Sequence, residues 1–235
     1  MSKQTNRFFN VTNAAGALTL DMYDTIGADY YGGGITESMV SNALKSSDAK
    51  SVTLNINSPG GDAFAGVAIR NVLAQSNKTV KVNVVGLAAS AASIIAMAGS
   101  SIVMNAGSVM MIHPAQSIGV GDAADMRKLA DTLDTVTESI ADVYVAKTGL
   151  DKQTVLDMMN AETWMTSDEA VAKGFATQVS KEKAAIANSY DLSNFRNAPS
   201  TLIAQVEEPA AEPATEKAFD ATNLYRLQLE INKRK

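Results

Sequence analysis

A hydroxyl at Ser90, an imidazole at His113 and a carboxylate at Glu162 follow one another along this chain, the first two 23 residues apart. Those are the three groups of nucleophilic acyl transfer. A serine attacks a carbonyl only when a base takes its proton and a third group orients that base. His113 is the single histidine, and so the one ordinary side chain that exchanges protons near neutral pH. It lies in Met110-Met-Ile-His-Pro-Ala115 at the end of an apolar run, where a satisfied core histidine is the plain alternative. Ser90 closes Gly86-Leu-Ala-Ala-Ser90, where a strand pattern gives way to a helix pattern. Such a junction projects Oγ and turns helix N-terminal amides toward developing negative charge. Ala88, Ala89, Ala91 and Ala92 leave room there for a substrate backbone. Upstream, Ser58-Pro-Gly-Gly61 exposes amides at two adjacent glycines. The N–H of Gly61 can serve with that of Ala91 as an oxyanion hole; alone, the loop would be a tight turn.

These groups need a rigid frame, and the hydrophobic pattern supplies one. Strands are expected at 17–22, 51–57, 79–85, 101–104, 108–112 and 176–180, where apolar and β-branched residues alternate or cluster. Helices are expected at 35–44, with Thr36 as cap, and at 62–75, 91–98, 123–147, 151–159 and 167–173. Strand–helix–strand alternation at this spacing implies crossover units and a largely parallel sheet. In the longest helix Met126, Leu129, Leu133, Val136, Ile140 and Val143 form one stripe, which Gly149 ends. A helix of that length needs a packing partner, and contact between subunits is the expected one.

The bulk numbers bound the function. The 235 residues carry Lys+Arg 20 against Asp+Glu 25, a formal charge of -5, with 46% hydrophobic residues. One α/β domain with a tail fits this length. Mild acidity gives no reason to expect a nucleic-acid partner. The absence of cysteine excludes disulfides, thiolate chemistry and cysteine-ligated metals, and neither a metal nor another cofactor is expected. The N-terminus has no apolar h-region, and Val82 to Met97 is too short and interrupted to span a bilayer. A cytoplasmic protein is expected. The 11 methionines are read as adaptable core, with an apolar substrate groove as the alternative. Ser93 is assigned to local backbone bonding and Ser100 likewise to a structural role; Asp125 is assigned to the first turn of its helix and Arg127 to its solvated face.

Ser58-Pro-Gly-Gly61, Gly86-Leu-Ala-Ala-Ser90 and Met111-Ile-His-Pro114 resemble, in order and spacing, the proteolytic subunit of the Clp protease. The likeness continues through Gly121-Asp-Ala-Ala-Asp125, the long helix and Thr163-Trp-Met-Thr-Ser-Asp-Glu-Ala170 with Lys173-Gly-Phe175, over roughly residues 15 to 180. It implies an α/β, Clp-protease/crotonase-like fold of repeated β-β-α crossover units with a protruding strand–helix handle at 117–147. It implies Ser90 as nucleophile, His113 as general base, and a homo-oligomeric ring, a heptamer or a stacked tetradecamer, around a proteolytic chamber. The family's third member is usually an aspartate two residues before the aromatic of the last motif, and Glu162 holds that position. Glutamate can accept the imidazole N–H, though its extra methylene demands a shifted backbone. Asp157 and Asp168 are nearby alternatives, and a solvated carboxylate is the plain reading of Glu162.

The Glu162-Thr-Trp-Met-Thr-Ser motif and the tail tilt the resemblance toward tailed-phage or prophage head-maturation proteases, with capsid or scaffold protein as substrate. Residues 1–14 are expected as a flexible N-terminal segment, 181–217 as a Pro/Ala/Glu-bearing linker, and 218–235 as a docking helix or tail. One alternative is the peptidase subunit of an ATP-dependent Clp complex. The chain has no Gly-x-x-x-x-Gly-Lys phosphate loop, so ATP use would belong to an unfoldase partner. A crotonase-like acyl-CoA enzyme and a catalytically silent ring-forming relative are the remaining alternatives.

Overall fold

Polar, mostly exposed β1 (Phe9–Ala14) edges a sheet, antiparallel to β2 (Ala17–Met22), where Leu18, Leu20 and Met22 alternate inward and are fully buried. The structure, a computed structural model, describes residues 9–14, 16–28, 33–183, 190–199 and 202. The chain divides into two compact units, 1–205 and 206–235, and all described residues fall in the first. The expected C-terminal helix at 218–235 lies outside the described residues.

Helix α1 (Glu37–Lys45) is capped by Thr36, whose hydroxyl accepts from the Met39 N–H, and buries Val40, Ala43 and Leu44. β3 (Ser51–Ser58), α2 (Ala63–Ala74), β4 (Thr79–Ala89), α3 (Ala91–Ala96) and β5 (Ser101–Ala106) follow. β2, β3, β4 and β5 pair in parallel, as crossover helices require. β6 (Val109–Ile112), α4 (Ala123–Thr148), α5 (Lys152–Asn160), β7 (Thr163–Thr166), α6 (Ser167–Ala172) and β8 (Gln178–Lys183) complete the order, with β8 parallel to β5. The core lies between this sheet and its helices. Met104, Met110, Met159 and Met165 are fully buried in it, which accounts for much of the methionine as packing. Leu54, at the centre of β3, is also fully buried. Leu54→Ala is expected to cost about 2–5 kcal/mol, read as a lowered urea midpoint at unchanged slope.

β4 changes partner along its length, and that positions everything else. Lys81–Val84 pairs with β5, whereas Leu87–Ala89 pairs with β6. At the break the β3 register shifts, and the buried Asn57 side chain accepts the Leu87 N–H at 2.9 Å in place of a ladder carbonyl. Gly86 fits there because a Cβ would lie 2.6 Å from Asn57 Oδ1.

Three expectations are corrected. Residues 9–14 are not a free segment, because they pair along the whole of β2. Residues 117–122 form no strand: they are exposed and lack a ladder partner, so the handle is helical from Ala123 onward. Residues 190–199 do not behave as linker. Tyr190, Leu192 and Phe195 give them apolar surface to bury, and Leu192 packs with Leu87, Ala89 and Met111. β7, unforeseen as a strand, pairs antiparallel with β6.

Candidate active site

β4 delivers Ser90 to the mouth of a cleft, and the chain then reverses sharply. Ser90 has φ 52° and ψ −125°, a conformation unfavourable for any residue with a Cβ and held here by its surroundings. Its N–H donates to Met111 O at 3.0 Å, tying the turn to β6. Its carbonyl accepts from the Ser93 N–H and, at 2.6 Å, from Ser93 Oγ. With that proton committed to a carbonyl, Tyr144 of α4 must donate to Ser93 Oγ across 2.7 Å. Burial pushes the Tyr144 hydroxyl well above its ordinary pKa, which keeps it a donor. Ser93 thus performs the local backbone bonding expected of it, and through Tyr144 it braces the Ser90 turn against the long helix.

Pairing of β6 with β4 sets His113, the residue after Ile112, beside this turn. Its Nε2 lies 2.7 Å from Ser90 Oγ. Nδ1 is buried and has no hydrogen-bond partner among the described residues. Burial lowers the imidazole pKa, the Glu162 charge opposes that shift, and Arg196 reinforces it. The net direction is down, so the ring stays neutral and basic to below its ordinary pKa of about 6.5. Hydrolysis is therefore expected to hold its rate down to pH values where a free imidazole is already protonated, as a kcat/KM profile would read.

The antiparallel register of β6 and β7 pairs Ile112 with Thr163, placing Glu162 at the same end of the strand pair as His113. Glu162 takes a left-handed φ of 49° and is 5% exposed. Its carboxylate is not bonded to the imidazole. Oε1 accepts from the Asn197 N–H at 2.7 Å and the Trp164 indole N–H at 3.2 Å, and Oε2 accepts from the Arg196 N–H at 2.9 Å. Burial alone would raise its pKa, but these donors and the nearby imidazole outweigh it and hold the carboxyl below its ordinary value. Glu162 therefore acts on His113 as a buried negative charge. Asp157 is exposed and accepts from Gln153 on its own helix, while Asp168 is an exposed first-turn carboxylate of α6.

The Pro-Gly-Gly loop abuts the same turn. A Cβ on Gly60 would come within 2.6 Å of Ser90 Cβ and 2.9 Å of Ala91 N, and Gly60 has φ 95°. Ile26 bridges the loop by donating to Gly60 O and accepting from the Asp62 N–H, both at 2.8 Å. That bridge does not use the Gly61 amide, and Ala91 opens α3, where helix geometry provides its amide no intrahelical partner. Gly61, Ser90 and His113 line one cleft of about 570 Å³, with Ile94, Leu129 and Val136 on its apolar wall. Asp122 caps α4 in a reciprocal box with Asp125. Arg127 is exposed on the same helix.

Missed from the sequence were Phe195, Arg196 and Asn197. Phe195 stands edge-on to His113, ring centroids 5.7 Å apart, and edge-on to Trp164 at 5.6 Å. The Asn-Phe-Arg-Asn stretch carries no catalytic residue type in a recognisable spacing, so no sequence signal marked it. Among the described residues no group of three or more ligating side chains could hold a metal ion, and no helix is long and apolar enough to cross a membrane.

The sequence profile of the family described as Clp protease matches residues 29–183. The chain is 33% identical over 133 residues to the ATP-dependent Clp protease proteolytic subunit 2 of Thermobifida fusca, covering 55% of this chain and 65% of that one. It is 30% identical over 148 residues to the proteolytic subunit 3 of Rhodococcus jostii, covering 61% and 73% respectively. With the proteolytic subunit of Pleurastrum terricola it shares 30% over 139 residues, 58% of this chain and 70% of that one. The mixed sheet with its crossover helices is the Clp-protease/crotonase-like α/β fold. By its matched region and its interacting serine and histidine, the chain belongs to the Clp protease family and is a serine endopeptidase of that family.

Proposed function

We propose that Ser90 is the nucleophile and His113 the general base of peptide-bond hydrolysis. The observation that carries this is the 2.7 Å approach of His113 Nε2 to Ser90 Oγ on a strained strand–helix turn. Oγ bonds to the scissile carbonyl carbon as Nε2 takes its proton, and the Gly61 and Ala91 amides hold the oxyanion. The C–N bond then breaks and the amine leaves with the proton from Nε2. Water attacks the acyl ester by the same base, which releases the acid and restores Ser90. Glu162 stabilises the imidazolium through its charge. The apolar cleft wall favours a nonpolar side chain beside the scissile bond.

The names of the relatives favour the peptidase subunit of an ATP-dependent complex, and the family resemblance adds assembly as a ring and feeding by a separate unfoldase. Head maturation, with capsid or scaffold protein as substrate, is the second reading, and the Glu162 motif and the tail composition favour it. The test is hydrolysis by the full-length chain of short fluorogenic peptides, of a folded protein with a Clp-type unfoldase and ATP, and of a capsid or scaffold precursor. Cleavage of the folded protein only with unfoldase and ATP supports the first role. Precursor cleavage without them supports the second. Failure to cleave any peptide overturns the catalytic assignment.

A further inference from the structure

Glu162 is a buried carboxylate, and a buried charge persists only where donors replace its lost water. Two of its three donors are the backbone N–H groups of Arg196 and Asn197. The segment that supplies them is itself anchored: Tyr190 Oη donates to Asn57 O at 2.6 Å, Asn197 Nδ2 donates to Ala161 O at 2.9 Å, and Leu192 is 5% exposed. Phe195, between these anchors, covers His113 and lines the cleft beside Ser90. Among the described residues, Nδ1 of His113 has no hydrogen-bond partner to hold the ring. Orientation of the imidazole therefore falls to its bond with Ser90 and to packing, in which the Phe195 edge contact takes part. The family profile ends at 183, so Tyr190, Leu192, Phe195, Arg196 and Asn197 come from chain beyond the matched region.

We propose that Phe195, Arg196 and Asn197 are positioning residues of the Ser90–His113 pair: their segment seats the Glu162 carboxylate and closes the wall against the imidazole, so hydrolysis depends on it. The inference rests on the catalytic reading of Ser90 and His113. The groups bearing charge on His113 are Glu162, from the turn before β7, and Arg196, from the segment itself. Truncating Phe195 admits water to the ring. Burial is the main cause that lowers the imidazole pKa, so hydration raises it and moves the acid limb of activity to higher pH.

The experiment follows phosphonylation of Ser90 by a fluorophosphonate, in which Oγ bonds to phosphorus and fluoride leaves, against pH in the full-length chain, Phe195→Ala, Phe195→Leu and Phe195→Tyr. Trp164, the single tryptophan, touches both Phe195 and Glu162, so its emission reports whether the segment is seated. In Phe195→Ala, phosphonylation near neutral pH is expected to slow about tenfold or more, the acid limb to rise, and Trp164 emission to shift. Phe195→Leu keeps apolar volume for folding and is expected to slow severalfold, whereas Phe195→Tyr, which retains the ring, restores rate and limb. Folded Phe195→Ala or Phe195→Leu chains that are phosphonylated at the wild-type rate with an unmoved limb overturn the proposal alone. A wild-type chain that never reacts at Ser90 removes the catalytic reading and this proposal with it.

Discussion

Ser90→Ala is expected to lower peptide hydrolysis on the order of 10⁶-fold and to abolish the fluorophosphonate adduct. The substitution removes Oγ, whose hydrogen bond goes to His113, and leaves the rest of the turn in place. Alanine meets the same constraint as serine at φ 52°, because both carry a Cβ at that backbone angle. The anchors of the turn are main-chain groups, the Ser90 N–H on Met111 O and the Ser90 carbonyl under Ser93, and they survive. Melting temperature is therefore expected to stay near that of the wild type while activity vanishes. The residual rate would measure what the Gly61 and Ala91 amides and the cleft contribute without a nucleophile. Intact mass after labelling, read beside a thermal melt, checks both halves. Full hydrolysis in a folded Ser90→Ala chain would move the nucleophile elsewhere.

Removal of the Glu162 charge is expected to produce the second-largest effect, about 10²-fold in kcat. Losing the acid of a bonded triad costs about 10⁴-fold, but here the carboxylate is not hydrogen-bonded to Nδ1 and works through its field. Glu162→Gln preserves size and removes the charge. Its carboxamide also turns an N–H₂ toward the donors of Arg196, Asn197 or Trp164, which leaves at least one donor unsatisfied at about 1–3 kcal/mol. The pH profile separates charge from structure. Glu162 raises the His113 pKa, so its neutralisation lowers it further and the acid limb moves down, opposite to the shift expected for Phe195→Ala. Stability follows the carboxyl itself: its folded pKa is depressed, so its contribution is present above the ordinary carboxylate range and is lost as pH falls through the folded value. Glu162→Gln lacks that acid-side loss. A variant with unchanged kcat and an unmoved acid limb would leave Glu162 a structural anchor only.

Much of the frame was legible before any coordinates. Period-two stretches became β2 to β5, the Thr36 cap and the Gly149 stop fell where chain chemistry put them, and the long stripe became α4. These are local rules, set by side-chain periodicity and by backbone groups that must be satisfied within a few residues. β1 and β7 were not legible: β1 is largely polar and exposed although it pairs with the adjacent β2, and the four-residue β7 takes its hydrogen bonds from β6, far away in the sequence. The apolar stripe expected along α4 meets different surroundings along its length: Ile140 is buried in the core and also lines the cleft with Leu129, Leu133 and Val136, while Met126 is exposed.

By itself the sequence determined which groups can do chemistry. One histidine, no cysteine, a serine at a strand–helix junction and a Pro-Gly-Gly loop point to acyl transfer, because a serine nucleophile needs a base that titrates near neutral pH and amides for the oxyanion. Tertiary structure decided how they meet. The split pairing of β4 puts Ser90 against His113, and the β6–β7 register brings Glu162 to the same end. Hydrogen bonds between residues 34 and 35 positions apart then give that carboxylate to Arg196 and Asn197 rather than to the imidazole. Residue type is a local property, whereas the partner of a buried charge depends on which donors the packed chain leaves beside it.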